Sequence, residues 1–271
     1  MAPLISIITV NFNDKIGLER TLESVFSQNF RNFEYLVIDG GSNDGSKELL
    51  EKNSEKINYW VSEPDKGIYN AMNKGISFAK GEYLIFLNSG DHLKNENSLE
   101  IAQKYLGKED IIYGDLELVG NTHTFIKEYP KHLSLYYFYE SSLPHPATFI
   151  RKELFKKFGY YDESLKIVSD WKWFLRVIMQ FSCTYKKIPK VLSTFYQDGI
   201  SSNSSNIIKI EAEREIVFKE HYPEYIDYFK EIHTLKEENK ILTEYKKKYA
   251  HLKNYKLVRL FSALGLVKIY K

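Results

Sequence analysis

Residues 5–13, ISIITVNFN, decide how this chain reads. An apolar run ends abruptly in Asn11, Phe12 and Asn13, the pattern of a buried parallel strand that runs out at a polar crevice. Three further stretches repeat it: VIDGGSNDGS at 37–46, SEPDKGIYNAMNKG at 62–75 and YLIFLNSGD at 83–91. In each, hydrophobic residues give way to Asp, Asn, Gly and Ser, as at the carboxyl edge of an open α/β sheet where nucleotides bind.

Outward from these stretches the first half alternates strand and helix. Strands are expected at 4–10, 34–38, 57–61 and 83–87, with helices near 15–28, 44–53, 69–79 and 95–106. Such alternation implies right-handed crossovers and a mostly parallel sheet with helices on both faces. The loops leaving the strands then share one edge, which collects Asn11, Asn13, Asp39, Asp65, Asn88 and Asp91. From about 110 to 197 strands (110–114, 184–188, 191–196) mix with helices (151–158, 169–181). Beyond residue 204 the pattern turns helical and charged, at 206–221 and again from Pro223.

With 271 residues and 43% hydrophobic content, the chain can form one large α/β domain plus an appendage. Its net charge of +2 is unevenly spread, because eight basic and no acidic residues follow from Lys246 onward and the rest is net acidic. A nucleic-acid partner is not expected, since neither a basic body nor a reader motif is visible. The single cysteine, Cys183, has no internal partner, and the apolar run 4–10 lacks a basic lead and a cleavage site, so a cytoplasmic location is expected. No run approaches the roughly 20 apolar residues of a spanning helix, so any membrane contact is expected to be peripheral. A dinucleotide-dependent oxidoreductase is disfavoured because no GxGxxG follows the first strand, and a P-loop enzyme by the lack of GxxxxGK[ST].

The four stretches, together with HPATFIRKELF (145–155), GYYDESLKIVSDWKWFLR (159–176) and YQDGISS (196–202), occur in an order that resembles the family 2 glycosyltransferases. The resemblance spans Ile5 to about Ser202. It implies a GT-A fold and an inverting transfer of sugar from a nucleotide diphosphate, of the kind used in bacterial surface-polysaccharide assembly. Residues 1–204 would be the catalytic domain, with a nucleotide-binding part (1–109) and an acceptor part (110–204). Residues 205–271 would be a helical extension with a basic amphipathic end.

For the nucleoside, Asp39 is followed by a Gly-Gly turn that lets backbone approach a planar base. The resemblance implies that its carboxylate accepts the imide proton of uracil, which favours UDP, although dTDP presents the same imide. Thr9, Asn11 and Asn13 would line this pocket, and Asp65 with Lys66 resembles another nucleotide-contacting position. Turn-making or capping is the alternative for each Asp, and the expected role of Asp44.

For the diphosphate, the family places a DxD-type motif that binds Mn²⁺ or Mg²⁺; this chain has Asn88, Ser89, Gly90 and Asp91 instead. Asp91 is the one charge left there, a chemically reasonable ligand for a hard cation alongside phosphate oxygens and waters. Asn88 would bond a ribose hydroxyl. His145 is either an added metal ligand or diphosphate contact, or a hydrogen-bonded loop histidine. For the base, Asp170 opens an amphipathic helix beside Trp171, Trp173 and Phe174, and the resemblance makes it the group that takes the acceptor proton. Many members carry a second acid where this chain has Ser169. The segment 199–202 reads as a closing loop, and the aromatics of 133–139 as either a sugar platform or core.

Two functions follow: a metal-assisted glycosyltransferase acting on a saccharide or lipid-linked acceptor, or a non-catalytic GT-A domain serving as nucleotide-sugar sensor or scaffold. In the extension, Ile232, Leu235, Asn239 and Leu242 keep a 3,4,3 spacing that suits either a homodimer seam or packing on the chain's own domain. The last segment, 253–271, interleaves Leu257, Leu260, Phe261, Leu264 and Val267 with Lys and Arg. It suits either an interfacial helix on an anionic membrane or a docked helix with a solvated basic face.

Overall fold

The computed structural model describes residues 2–120, 122–196 and 206–253. The chain divides into two compact units, Met1–Ile216 and Val217–Lys271. The expected boundary at 204/205, the segment 199–202 and the end of the chain from 254 lie outside the described residues.

In the first unit all seven residues of β1 (Ile5–Asn11) are buried. It pairs in parallel with β2 (Phe33–Asp39) and β4 (Tyr83–Phe86), and β2 in parallel with β3 (Tyr59–Ser62). Burial on both faces explains why ISIITV carries no polar alternation. The crossovers are α1 (Lys15–Phe26), α2 (Ser46–Lys52) and α3 (Ile68–Phe78). Helix α3 packs on β1 and β2 so closely that a Cβ at Gly75 would lie 2.5 Å from Ile8 Cγ2.

The second half of the unit is mixed. Strands β5 (His92–Leu93), β6 (Ile111–Val119), β7 (Thr124–Lys127), β8 (Thr148–Arg151) and β9 (Tyr185–Tyr196) complete a sheet of order β3-β2-β1-β4-β8-β6-β9-β5, with β7 alongside β6. β8 runs antiparallel to both β4 and β6, whereas β6 and β9 are parallel. Parallel pairing is therefore confined to β1–β4 and the β6–β9 pair, with antiparallel strands between and beside them.

Several elements differ from the sequence expectation. The two strands expected at 184–188 and 191–196 are one strand, β9, which carries Pro189 in a register irregularity between the Tyr113–Lys187 and Asp115–Val191 pairs, where a missing N–H is tolerated. The helix expected over 169–181 is α7 (Ser169–Leu175) followed by a π-helical turn, Arg176–Gln180. Strands β5, β7 and β8 and helix α5 (Leu135–Glu140) were not anticipated, because six or fewer residues are too few to show a period. Helices α4 (Ser98–Gln103) and α6 (Glu153–Phe158) fall inside their expected ranges. Within the aromatic stretch 133–139, Phe138 is fully buried and its carbonyl accepts Trp171 Nε1–H at 2.8 Å, so that ring belongs to the core.

Helix α8 (Ile207–His221) and helix α9 (Ile226–Lys253) follow. Inside the second unit, Phe229 meets Phe218 edge-on at 6.3 Å and stacks with Tyr225 at 5.6 Å. Leu235 and Leu242 of the expected seam are each half exposed. Among the described residues no helix is long and apolar enough to cross a membrane.

Candidate active site

The in-register pairing of β1, β2 and β3 sets Asn11 beside Asp39 and Asp39 beside Ser62. Asp39 is completely buried, and its carboxylate accepts four hydrogen bonds. Oδ1 receives Asn11 Nδ2–H at 2.6 Å and Ser42 Oγ–H at 2.6 Å. Oδ2 receives Ser42 N–H at 2.9 Å and Ser62 Oγ–H at 2.6 Å. A carboxylate has about four acceptor positions, so Asp39 is saturated and knits three strand ends together. A further N–H donor approaching this carboxylate would have to displace one of the two rotatable serine hydroxyls.

Asn13 sits in the left-handed region at φ 51°, and its Oδ1 accepts Asn43 N–H at 2.9 Å. Asp65 accepts Gly67 N–H at 2.8 Å, and its other oxygen lies where a Cβ on Gly40 would be 2.6 Å away. The glycine after Asp39 is thus required for the loop after β3 to close on the loop after β2. Lys66 is exposed beside it. Thr9 is not at this edge: its hydroxyl is hydrogen-bonded to that of Tyr35 at 2.9 Å, and both side chains are fully buried. Asp44 has the local role expected of it, accepting Ser46 N–H and Lys15 N–H.

The turn after β4 is held from α1, where Thr21 Oγ–H donates to the Asp91 carbonyl at 2.7 Å and accepts Gly90 N–H at 3.1 Å. Asp91 is 6% exposed. Asn88 Oδ1 is buried and has no hydrogen-bond partner among the described residues. No group of three or more His, Cys, Asp or Glu side chains able to hold a metal occurs among the described residues. The turn nonetheless offers two hard oxygen donors, the Asp91 carboxylate and the orphaned Asn88 carbonyl. That fits a Mg²⁺ or Mn²⁺ ion that keeps most of its shell as water and phosphate.

His145 is placed elsewhere. Its ring stacks on Phe86 at 4.8 Å, Nε2 is hydrogen-bonded to Tyr161 Oη at 3.0 Å, and Nδ1 lies 4.0 Å from Asp170 Oδ2. Burial pushes its pKa down, only partly opposed by the Asp170 charge, so the imidazole is neutral. Asp170 stands in the first turn of α7 and is 20% exposed. Its Oδ1 accepts Tyr69 Oη–H at 2.8 Å, and the same hydroxyl reaches the Ile167 carbonyl at 2.5 Å. Burial, then the adjacent Asp170, pushes the Tyr69 pKa well up, so the phenol stays protonated as a donor.

The loop in front of α7 is pinned from α8. Glu213 accepts the N–H groups of Lys166 (2.7 Å), Ile167 (3.0 Å) and Val168 (3.1 Å), while the Arg214 guanidinium lies 5.0 Å from the Trp171 ring centroid. Asp170 and His145 open on a cavity of about 350 Å³ whose walls come from residues 116–214.

The structure thus gathers Asn11, Asn13, Asp39 and Asp65 at one edge, sets Asn88 and Asp91 in the next turn, and joins His145 to Asp170. Tyr69, Ser42, Ser62, Glu213 and Arg214 were missed. Tyr69 lies inside a quoted stretch, but a tyrosine among 21 carries little signal. Glu213 and Arg214 look like any charged pair on a surface helix.

A family model described as "Glycosyl transferase family 2" matches residues 6–167. An uncharacterized glycosyltransferase of Mycobacterium tuberculosis is 36% identical over 208 residues, covering 74% of this chain and 78% of the relative. Among solved structures, S. aureus TarS 1–349 in complex with UDP superposes with a TM-score of 0.60 at 19% identity, over 82% of this chain and 72% of that one. The mannosyltransferase PcManGT from Pyrobaculum calidifontis, in complex with GDP-Man and Mn²⁺, gives a TM-score of 0.60 at 15% identity, over 97% and 84%. The fold is that of these glycosyltransferases.

Proposed function

Because the chain belongs to glycosyl transferase family 2 and is a glycosyltransferase, we propose that it transfers a sugar, with inversion, from a nucleoside diphosphate to a saccharide or lipid-linked acceptor. The observation that carries this reading is Asp170. One carboxylate oxygen is fixed by Tyr69, and the side chain opens on a cavity large enough for a ligand.

The acceptor hydroxyl gives its proton to Asp170 as its oxygen bonds the anomeric carbon. The bond from that carbon to the diphosphate breaks, and the nucleoside diphosphate leaves with the electron pair. Tyr69 holds the carboxylate in orientation, and neutral His145 packs beside it. Asn11, Asp39 and Asp65 are proposed to shape the nucleoside edge. Asp91 and Asn88 would hold a divalent cation, which when bound offsets charge on the departing diphosphate. UDP is the favoured donor nucleotide, supported by the position of Asp39 and by the likeness to TarS, itself solved with UDP. Work on a lipid-linked acceptor at the inner face of a cell membrane is the setting that the basic end of the sequence suits.

The test is Asp170→Asn. Donor affinity should stay within a few fold while turnover falls by on the order of 10² or more. Near-normal turnover would remove Asp170 from the chemistry.

A further inference from the structure

The cavity at Asp170 holds donors that no described residue satisfies. Arg214 Nε and Ser142 Oγ are buried, line this cavity and have no hydrogen-bond partner among the described residues. Arg214 also has no carboxylate within ion-pair distance among the described residues, although Asp170 acts on it electrostatically. Lys127, at the end of exposed strand β7, lines the same cavity. The other carboxylate of the lining, Glu140, accepts the Tyr136 hydroxyl at 2.6 Å. An arginine N–H can only donate, and leaving a buried guanidinium N–H without an acceptor at hydrogen-bond distance is costly even with the Asp170 charge nearby. The missing partner is therefore an anionic oxygen.

Its source follows from the walls. They come wholly from residues 116–214, whereas the edge at Asp39 and the turn at Asp91 come from residues 11–91. Asp170 stands in the cavity wall, and Arg214 is fixed against Trp171, the next residue in the chain. We propose that Arg214, with Lys127 and Ser142, forms a subsite for a phosphate or carboxylate on the sugar acceptor, next to the hydroxyl that Asp170 deprotonates. This rests on the transferase reading above and narrows its acceptor to an anionic one. Guanidinium suits both groups, because its paired N–H donors match two oxygens of either.

The full-length chain, saturated with UDP to fill the nucleotide site, is titrated with methyl phosphate, methyl glucuronide and methyl glucoside by ligand-observed NMR. At least one anionic probe should bind more tightly than the glucoside, and the tighter of the two identifies the substituent. Arg214→Gln and Lys127→Gln should each weaken that probe about tenfold, with UDP affinity within twofold of wild type. Lys127→Gln sits on an exposed strand and keeps the test open if Arg214→Gln does not fold. Three results overturn the subsite: no preference for the anions, unchanged anion binding in both folded variants, or anion binding that occurs without UDP and is lost in the UDP-saturated chain. If UDP itself fails to bind wild type, the UDP-donor reading falls, and the anion titration still decides the subsite.

Discussion

Glu213 holds the segment that presents Asp170, and the consequence can be sized. Its carboxylate accepts three backbone N–H groups at 2.7, 3.0 and 3.1 Å, two of them partly buried. Hydrogen bonds to a charged group contribute about 1.5–3 kcal/mol each when desolvated. The Lys166 bond is exposed, so water replaces much of it. Glu213→Ala should then cost about 2–3 kcal/mol, a fall in Tm of about 4–12 °C for a unit of this size. Glu213→Gln keeps one acceptor oxygen for Ile167 and Val168 and should cost roughly half as much. Since about 1 Å of misplacement can lower a rate by up to ~10², kcat of the alanine variant should fall by roughly tenfold. Donor KM should stay within about twofold, because α8 does not build the nucleotide edge. Urea unfolding followed by the fluorescence of Trp171 and Trp173, with steady-state turnover below Tm, measures both. Equal loss in kcat and donor affinity, or wild-type kcat in Glu213→Ala, would refute the positioning argument.

Other expectations are as direct. Asp91→Ala should abolish stimulation of nucleoside diphosphate binding by Mn²⁺, and Asn88→Ala should weaken it less; equal stimulation in wild type and Asp91→Ala, by calorimetry, would place the cation elsewhere. Asp39→Asn sets an amide N–H₂ against donors that now meet a carboxylate, and should lower stability by about 2–4 kcal/mol before any nucleotide is added; an unchanged Tm would show that the network does not hold the strand ends. His145 has a lowered pKa in the fold, so the unfolded chain takes up its proton first. Its contribution is present above about pH 6.5 and is lost as pH falls below that value; the urea midpoint should drop between pH 7.5 and 5.5 in wild type, and a drop just as steep in His145→Gln would assign it to another group. Deleting residues 246–271 should remove binding to anionic vesicles at low salt while sparing nucleotide binding, and sedimentation of the truncated chain with vesicles would contradict that.

The four stretches that end in Asp, Asn and Gly determined by themselves the parallel first half of the sheet and the polar edge at its strand ends. A strand buried on both faces must be apolar throughout, so ISIITV and YLIF declare their position in local sequence, and the polar residues that follow them fall at the sheet edge. The proposed role of Asp170 was drawn from sequence as well, from an acid at the start of an aromatic helix within an ordered series of family blocks, and the structure does place it in the first turn of α7. Short elements such as β8 were not legible, because four residues take their conformation from the strands beside them. Partnerships across the chain were closed to sequence as well. Only folding brings Tyr69 to Asp170, 101 residues away, or Glu213 to Val168, 45 residues away. The same holds for the saturation of Asp39 and for His145, whose place beside Asp170 rather than in the Asp91 turn is set by stacking on Phe86. Hydrogen bonding and desolvation depend on what surrounds a side chain in space, and a sequence lists only what precedes and follows it.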